Sequence, residues 1–462
     1  MHLYSLFTSL ALGSFVLGGA GPSKAPTSPY CKGECQKNFT MGWEIDAGNW
    51  VAANLSHDPF WHLPQNVSTA KPGDILRWQD IDATTVGANW TIPAGASLSR
   101  FQYASEDVDG KIVAASAFLL IPYAPTNGAK RLRTLVWTHG TAGVVPICAP
   151  TNHRNLYYDW QAPYSFVQLG YAVVAPDYAG LGSTTPKGFQ YIAGWTHAAD
   201  VAFSVIAAKK RIGTLLSDEW VTVGQSEGGM AAWRVNERLA LPGQDALKKA
   251  GNFLGSVAIA PANRPTDLID YLNSMPASAD GSANGLTAYL LPNIANLYPE
   301  LHVEDYLTKT AIGRLTLIRQ SCTYGGYYAA GNMANEEFYK NSSWTKHPAV
   351  AAWRKTYMGE GHWKLAAPLM IVQGVDDGIV PIKFTVEDYK KTCKEEPGSS
   401  VRFLTYAGQN HDSVTVSAQA DYMSWVNDLF NGKKMKKGCS REDIRPLTDR
   451  FQRVAIQYIA NL

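Results

Sequence analysis

The sequence predicts an α/β fold: a mostly parallel central sheet flanked by helices, with a helical cap inserted late in the chain. Three observations predict it. Short apolar runs rich in Val, Ile and Ala recur along the chain. Segments with helical spacing alternate with them, which implies a parallel sheet covered on both faces. One gap between two such runs, about Asn263 to Ala367, far exceeds the usual loop of under ~15 residues.

"VAASAFLLIPYAP" begins the regular core, and "RTLVWTHG" is a buried strand ending at Gly140. "SFVQLG" reads as the end of a helix, and "GYAVVAPDYAGLG" as the strand after it. "YIAGWTHAADVAFSVIAAKKRI" carries helical spacing. "WVTVG", "GSVAIAPA" and "LMIVQG" are further strands, and "VRFLTYAG" is the last. The long gap contains "PTDLIDYLNSM" and "HPAVAAWRKTYM", both helical in pattern, and reads as an inserted cap. An insertion after a central strand lies over the C-terminal edge of the sheet, where open α/β folds bind ligands. The expected divisions are a leader at 1–20, an N-terminal extension at 21–70, a first core segment at 71–262, the cap at 263–367 and a second core segment at 368–462.

With 462 residues the chain can bury a sizeable core. A net charge of +2 with 17% charged residues argues against a nucleic-acid partner, which needs a basic stripe. "MHLYSLFTSLALGSFVLGGA" is mostly apolar from Leu10 to Leu17 and ends in small residues near Ala20. That is the pattern of a secretory signal peptide, and the run is short of a bilayer span. Residues 21–30, "GPSKAPTSPY", read as a flexible leader. Asn38, Asn54, Asn66, Asn89 and Asn341 each open a glycosylation sequon. The six cysteines are Cys31, Cys35, Cys148, Cys322, Cys393 and Cys439. An even count in an oxidising compartment implies three disulfides, with the pairing open. None has zinc-like spacing with histidines, so no metal is expected.

Gly224-Gln225-Ser226-Glu227-Gly228 is a G-x-S-x-G pentapeptide between a strand and a helix. That context makes Ser226 a nucleophile candidate. A serine on so sharp a turn needs small neighbours, and the following helix aims its positive end at the site. A seryl hydroxyl needs a base, usually His, and an acid to orient that base. The chain order in this architecture is Ser, acid, His. His302, His347 and His362 fall in the proposed cap, which leaves His411 in "YAGQNHDS" as the base. "LMIVQGVDDGIVPIK" offers Asp376 and Asp377, and the pattern G-x-x-D-x-x-V-P from Gly374 selects Asp377. His139 precedes Ser226 at a strand end and reads as structural. For the oxyanion, one donor is the backbone N–H of Glu227 and the second comes from "VWTHGTAGV", with Thr141 the candidate. The Glu227 side chain is expected to turn outward, since a carboxylate in the oxyanion hole would oppose the developing charge.

"KPGDIL", "VAASAFLLIP", "WTHGTAGVVPICAP", "VVAPDYAGLG", "GQSEGG" and "VDDGIVP" occur in this order. Together they resemble the fungal secretory lipase family, lipase A-like members of the α/β-hydrolase superfamily. The resemblance runs from about Lys71 to His411. It implies serine-dependent ester hydrolysis beneath a helical cap, with Ser226, Asp377 and His411 as the triad. It also implies a disulfide from the "CAP" cysteine to the cap and another near the C-terminus. Those would be Cys148–Cys322 and Cys393–Cys439, leaving Cys31 with Cys35.

The leading reading is a secreted serine hydrolase that cleaves carboxylic esters, a lipase or carboxylesterase working through an acyl-enzyme. Its substrate would be a lipid or an acylated small molecule, with transient contact to a lipid interface and no cofactor. A second reading keeps the site but makes the protein a deacetylase or acyltransferase for a secreted secondary metabolite. A third is a non-catalytic binding protein on the same fold, which would not need an intact nucleophile, acid and base.

Overall fold

The computed structural model describes residues 24–125, 129–275, 282–331 and 333–453. The leader expected at 1–20 lies outside these residues. No helix among the described residues is long and apolar enough to cross a membrane.

Among the described residues one sheet contains β1 (Ile75–Asp80), β2 (Ser97–Glu106), β3 (Ile112–Ile121), β4 (Leu132–Thr138) and β5 (Ala172–Pro176). It continues with β6 (Leu216–Gln225), β7 (Phe253–Ile259), β8 (Leu369–Gly374), β9 (Ser400–Tyr406) and β10 (Gly438–Ile444). The spatial order is β1-β2-β3-β5-β4-β6-β7-β8-β9-β10. β1, β2, β3 and β5 pair antiparallel in turn, and every pairing from β5 to β10 is parallel.

Alternation along the strands builds two faces. Leu135, Trp137, Val173, Val221, Val223 and Val257 share one apolar cluster with Phe166, Trp425 and Val426. The last three come from helices Pro163–Gln168 and Gln419–Phe430. Val136 and Val174 point the other way, onto Val201 and Val205 of helix Gly194–Ile212. Each such burial contributes roughly 1.5–3 kcal/mol. A one-residue slip would exchange the faces, so the register is strongly specified.

Three features depart from the sequence reading. The regular core begins at β1 and β2, before "VAASAFLLIPYAP". β2 carries buried polar residues that mask its pattern: Arg100 pairs with Asp58 at 2.7 Å and bonds Gln79 at 2.8 Å. The sheet ends at β10 rather than at β9. Arg441 and Glu442 on β10 are exposed, and charge protects an edge strand from further pairing. Residues 24–30 are not a loose leader either: Ser28 is buried and its hydroxyl faces the Gly313 carbonyl.

The described chain between β7 and β8 is helical, with Pro265–Ser274, Ser282–Leu297, Lys309–Ile318 and Thr323–Ala330 its main elements. Its apolar core is shared with the N-terminal helix Glu34–Gly48, where Phe39 and Trp43 join Leu290, Ile294 and Leu317. Asp46 fixes this contact. Its carboxylate accepts the N–H groups of Cys322 (2.8 Å), Tyr324 (3.2 Å) and Gly325 (2.8 Å), the orphan donors of helix Thr323–Ala330. Disulfides join Cys31 to Cys35, Cys148 to Cys322 and Cys393 to Cys439. Of the sequon asparagines, Asn54, Asn66 and Asn341 are exposed, while Asn38 and Asn89 are half-buried.

Candidate active site

β6 is flanked by strands on both sides and runs directly into Ser226, which opens helix Glu227–Ala240. Ser226 has φ 59° and ψ −120°, a region costing ~1–3 kcal/mol for a residue other than glycine. The crowding expected from the sequence is present. A Cβ on Gly224 would run into Thr138 Oγ1 and the Gly228 carbonyl, and one on Gly228 into the Thr138 carbonyl.

Asp377 follows β8 and His411 follows β9, and both are buried. His411 Nδ1 lies 2.8 Å from Asp377 Oδ2. Asp377 Oδ1 accepts the N–H groups of Ile379 (2.9 Å) and Val380 (2.7 Å), and Gln373 Nε2 donates to Oδ2 at 2.7 Å. Burial opposes charging of His411, but the charge and hydrogen bond of Asp377 outweigh it, so the imidazole pKa is raised. Asp376 is exposed beside this pair.

Ser226 and His411 line one cavity of about 530 Å³. The two side chains are not hydrogen-bonded to each other among the described residues; such contacts often tighten only with substrate bound. Leu268, Leu286, Ile379 and Val380 supply apolar wall, and Tyr158, Tyr191 and Tyr324 supply aromatic wall. Thr141 lines the same space, with Oγ1 2.8 Å from the Tyr191 hydroxyl. Its carbonyl accepts from Thr323 Oγ1 at 2.9 Å and from the Tyr157 hydroxyl. A larger open cleft of about 920 Å³ includes Asn54, Asp58 and Arg100 in its lining but none of the candidate catalytic residues.

Glu227 is the first helical residue, so its N–H has no intrahelical acceptor. Its side chain corrects the sequence reading. It does not turn outward but is fully buried, bonded to Ile192 N–H and His197. The Ile192 turn and helix Gly194–Ile212 pack over it, which single-sequence patterning could not show. His139 is buried against the Tyr178 ring and sits near the carbonyls of Gly140 and Asp177. Burial lowers its pKa to about 4, which keeps it neutral.

Two glutamines at the site escaped the sequence reading. Gln225 Nε2 donates to the His411 carbonyl at 3.1 Å, and its Oε1 accepts from the Tyr158 hydroxyl at 2.5 Å. Gln373 is fixed by Thr385 Oγ1 at 2.8 Å while it holds Asp377. The available signal was a polar residue closing each apolar strand, in "WVTVGQ" and "LMIVQG".

A family model described as secretory lipase matches residues 155–438. A secreted triacylglycerol lipase of Malassezia globosa is 24% identical over 405 residues, covering 83% of both chains. Lipase 4 of Candida albicans is 26% identical over 430 residues, covering 87% of both. Among solved structures, Candida antarctica lipase A superposes with a TM-score of 0.67 at 18% identity, covering 86% of this chain and 90% of its own. The rice cell wall degrading esterase LipA of Xanthomonas oryzae gives a TM-score of 0.62 at 16% identity, covering 79% of this chain and all of its own.

Proposed function

The chain belongs to the secretory lipase family, and from that premise we propose that Ser226, His411 and Asp377 hydrolyse a carboxylic ester through an acyl-enzyme. The protein is a secreted carboxylic-ester hydrolase with an α/β-hydrolase fold. The reading of the triad rests on one observation. A strained serine at a strand-to-helix turn and the histidine of a buried His–Asp pair line one cavity.

In the proposed reaction His411 Nε2 takes the Ser226 proton as Oγ attacks the ester carbonyl. Asp377 holds the imidazole by Nδ1 and stabilises the imidazolium. The N–H groups of Glu227 and Thr141 receive the oxyanion; losing one such donor typically costs ~3–4 kcal/mol. His411 then returns the proton to the leaving alcohol. Water, activated by the same imidazole, attacks the acyl-enzyme and releases the acid. The substrate is a lipid or another acyl ester held beneath the cap at 263–367, which makes transient contact with a lipid interface.

The test is labelling with a fluorophosphonate, followed by turnover of p-nitrophenyl esters from acetyl to palmitoyl. We expect one label, on Ser226, and no turnover by Ser226→Ala. Labelling elsewhere, or turnover surviving in that variant, would reject the assignment. A maximum at acetyl marks a deacetylase; a maximum at long chains with interfacial activation marks a lipase.

A further inference from the structure

The Glu227 carboxylate, beside the proposed nucleophile, serves two distant groups. Oε1 accepts the Ile192 N–H and lies 2.9 Å from both that nitrogen and His197 Nε2. Ile192 has φ 54°, left-handed backbone that a β-branched residue adopts only when its surroundings impose it. Ile192 is also part of the cavity lining. Its neighbour Tyr191 reaches the Thr141 hydroxyl.

His197 is held just as firmly. Its ring stacks on Tyr178 at 4.0 Å and 4°, with Phe189 at 5.8 Å and 10°. Tyr178 also stacks on His139 at 4.3 Å, and its hydroxyl donates to the His139 carbonyl at 3.0 Å. His139 lies two residues before Thr141. The Glu227 side chain therefore connects to both sides of the oxyanion hole: its own residue on one, the loop at Thr141 on the other.

We propose that the Glu227–His197 pair is the positioning device of the oxyanion hole, fixing the Glu227 N–H and, through the Ile192 turn and the Tyr178 stack, the loop at Thr141. The proposal rests on the reading of Ser226 as nucleophile and of these two N–H groups as donors. Such donors stabilise a transition state only when already in place before charge develops. The Ser226 carbonyl accepts the N–H groups of Met230 (3.0 Å) and Ala262 (3.2 Å), which hold the 226–227 peptide from one side. The Glu227 carboxylate ties the same residue from the other, to the Ile192 turn and His197. An apolar residue there would also leave the Ile192 N–H buried without an acceptor. Glu227 and His197 are positioning residues, because neither side chain touches the reacting atoms.

The experiment compares wild type, Glu227→Ala and Glu227→Gln on p-nitrophenyl butyrate. It adds an alkylboronic acid, which forms an anionic tetrahedral adduct on the serine. We expect Glu227→Ala to lower kcat about 10- to 100-fold, with KM within about threefold and boronate affinity falling in parallel. Glu227→Gln keeps an amide oxygen for both donors and recovers most of that loss. Unchanged kcat in Glu227→Ala overturns the proposal, as does a glutamine variant as impaired as the alanine one. Should Glu227→Ala not fold, His197→Phe carries the test: it keeps the ring stack and removes the nitrogen, and full kcat there overturns the proposal. Wild-type labelling at Ser226 tests the underlying nucleophile assignment separately.

Discussion

His411 Nδ1 and Asp377 Oδ2 lie 2.8 Å apart in a buried pair that three further donors complete around the carboxylate. The carboxylate is thus fully engaged, and only one edge of the imidazole remains for the cavity.

The first prediction concerns that pair. The raised His411 pKa places the acid limb of kcat/KM above the ordinary imidazole value of 6.5. The base must be neutral, so activity falls as pH drops through that limb. Asp377→Asn removes the charge that raises it. We expect kcat to fall about 10⁴-fold and the residual limb to move to lower pH. A pH–rate profile of both proteins checks this, and an unmoved limb counts against Asp377 as the partner.

Gln225 yields the second prediction. It links the strand before the nucleophile to the His411 backbone and the Tyr158 hydroxyl. Gln225→Met keeps the volume but leaves two polar partners unpaired, a cost of about 1–3 kcal/mol each. We expect a lower melting temperature and a roughly tenfold lower kcat, since small misplacements of a catalytic base are costly. A melting change with full kcat would make Gln225 a core residue only.

The third prediction separates two disulfides. Cys148–Cys322 spans 174 residues and adjoins Thr323, whose hydroxyl bonds the Thr141 carbonyl. Cys393–Cys439 ties helix Ile382–Glu395 to β10 at the sheet edge. Replacing either pair by Ser should cost roughly 2–5 kcal/mol of stability. Only the first should also lower kcat/KM. Equal kinetic effects would remove the link between Cys148–Cys322 and the site.

What the sequence revealed and hid follows from physics. β5 and β8 are buried along their length, so their apolar runs read directly as interior strands. Ser226, Asp377 and His411 could be chosen by chain order because each follows such a strand. β2 and β10 broke the pattern, one with a buried Arg100 held by Asp58, the other with an exposed charged edge. Glu227 was misread because its partners, Ile192 and His197, lie 35 and 30 residues away in sequence. Asp46 was invisible for the same reason, with donors 276 to 279 residues further on.

Asp46 gives the last prediction. Burial raises its pKa to about 7, against the lowering effect of the N–H groups of Gly325, Cys322 and Tyr324. Between the ordinary value of 3.8 and about 7, the folded protein holds a proton that the unfolded chain has released. Stability falls with pH wherever the native state binds more protons. The contribution is therefore full below the ordinary value and is lost as pH rises through 7, by at most about 1.4 kcal/mol per pH unit. Asp159, Asp177 and Asp200 at about 6 and Glu237 at about 7 act in the same direction, so the variant must be compared with wild type at each pH. Asp46→Asn removes the titration and one acceptor while keeping an oxygen for part of the helix cap. We expect it to be about 1–3 kcal/mol less stable than wild type at pH 5, with the gap narrowing by pH 8. Urea unfolding at the two pH values measures this. A gap that stays constant from pH 5 to pH 8 would mean that the three N–H groups hold Asp46 ionised throughout. The helix Asp46 caps carries Thr323 and Tyr324 into the cavity wall, so activity at long incubation should follow the same pH trend.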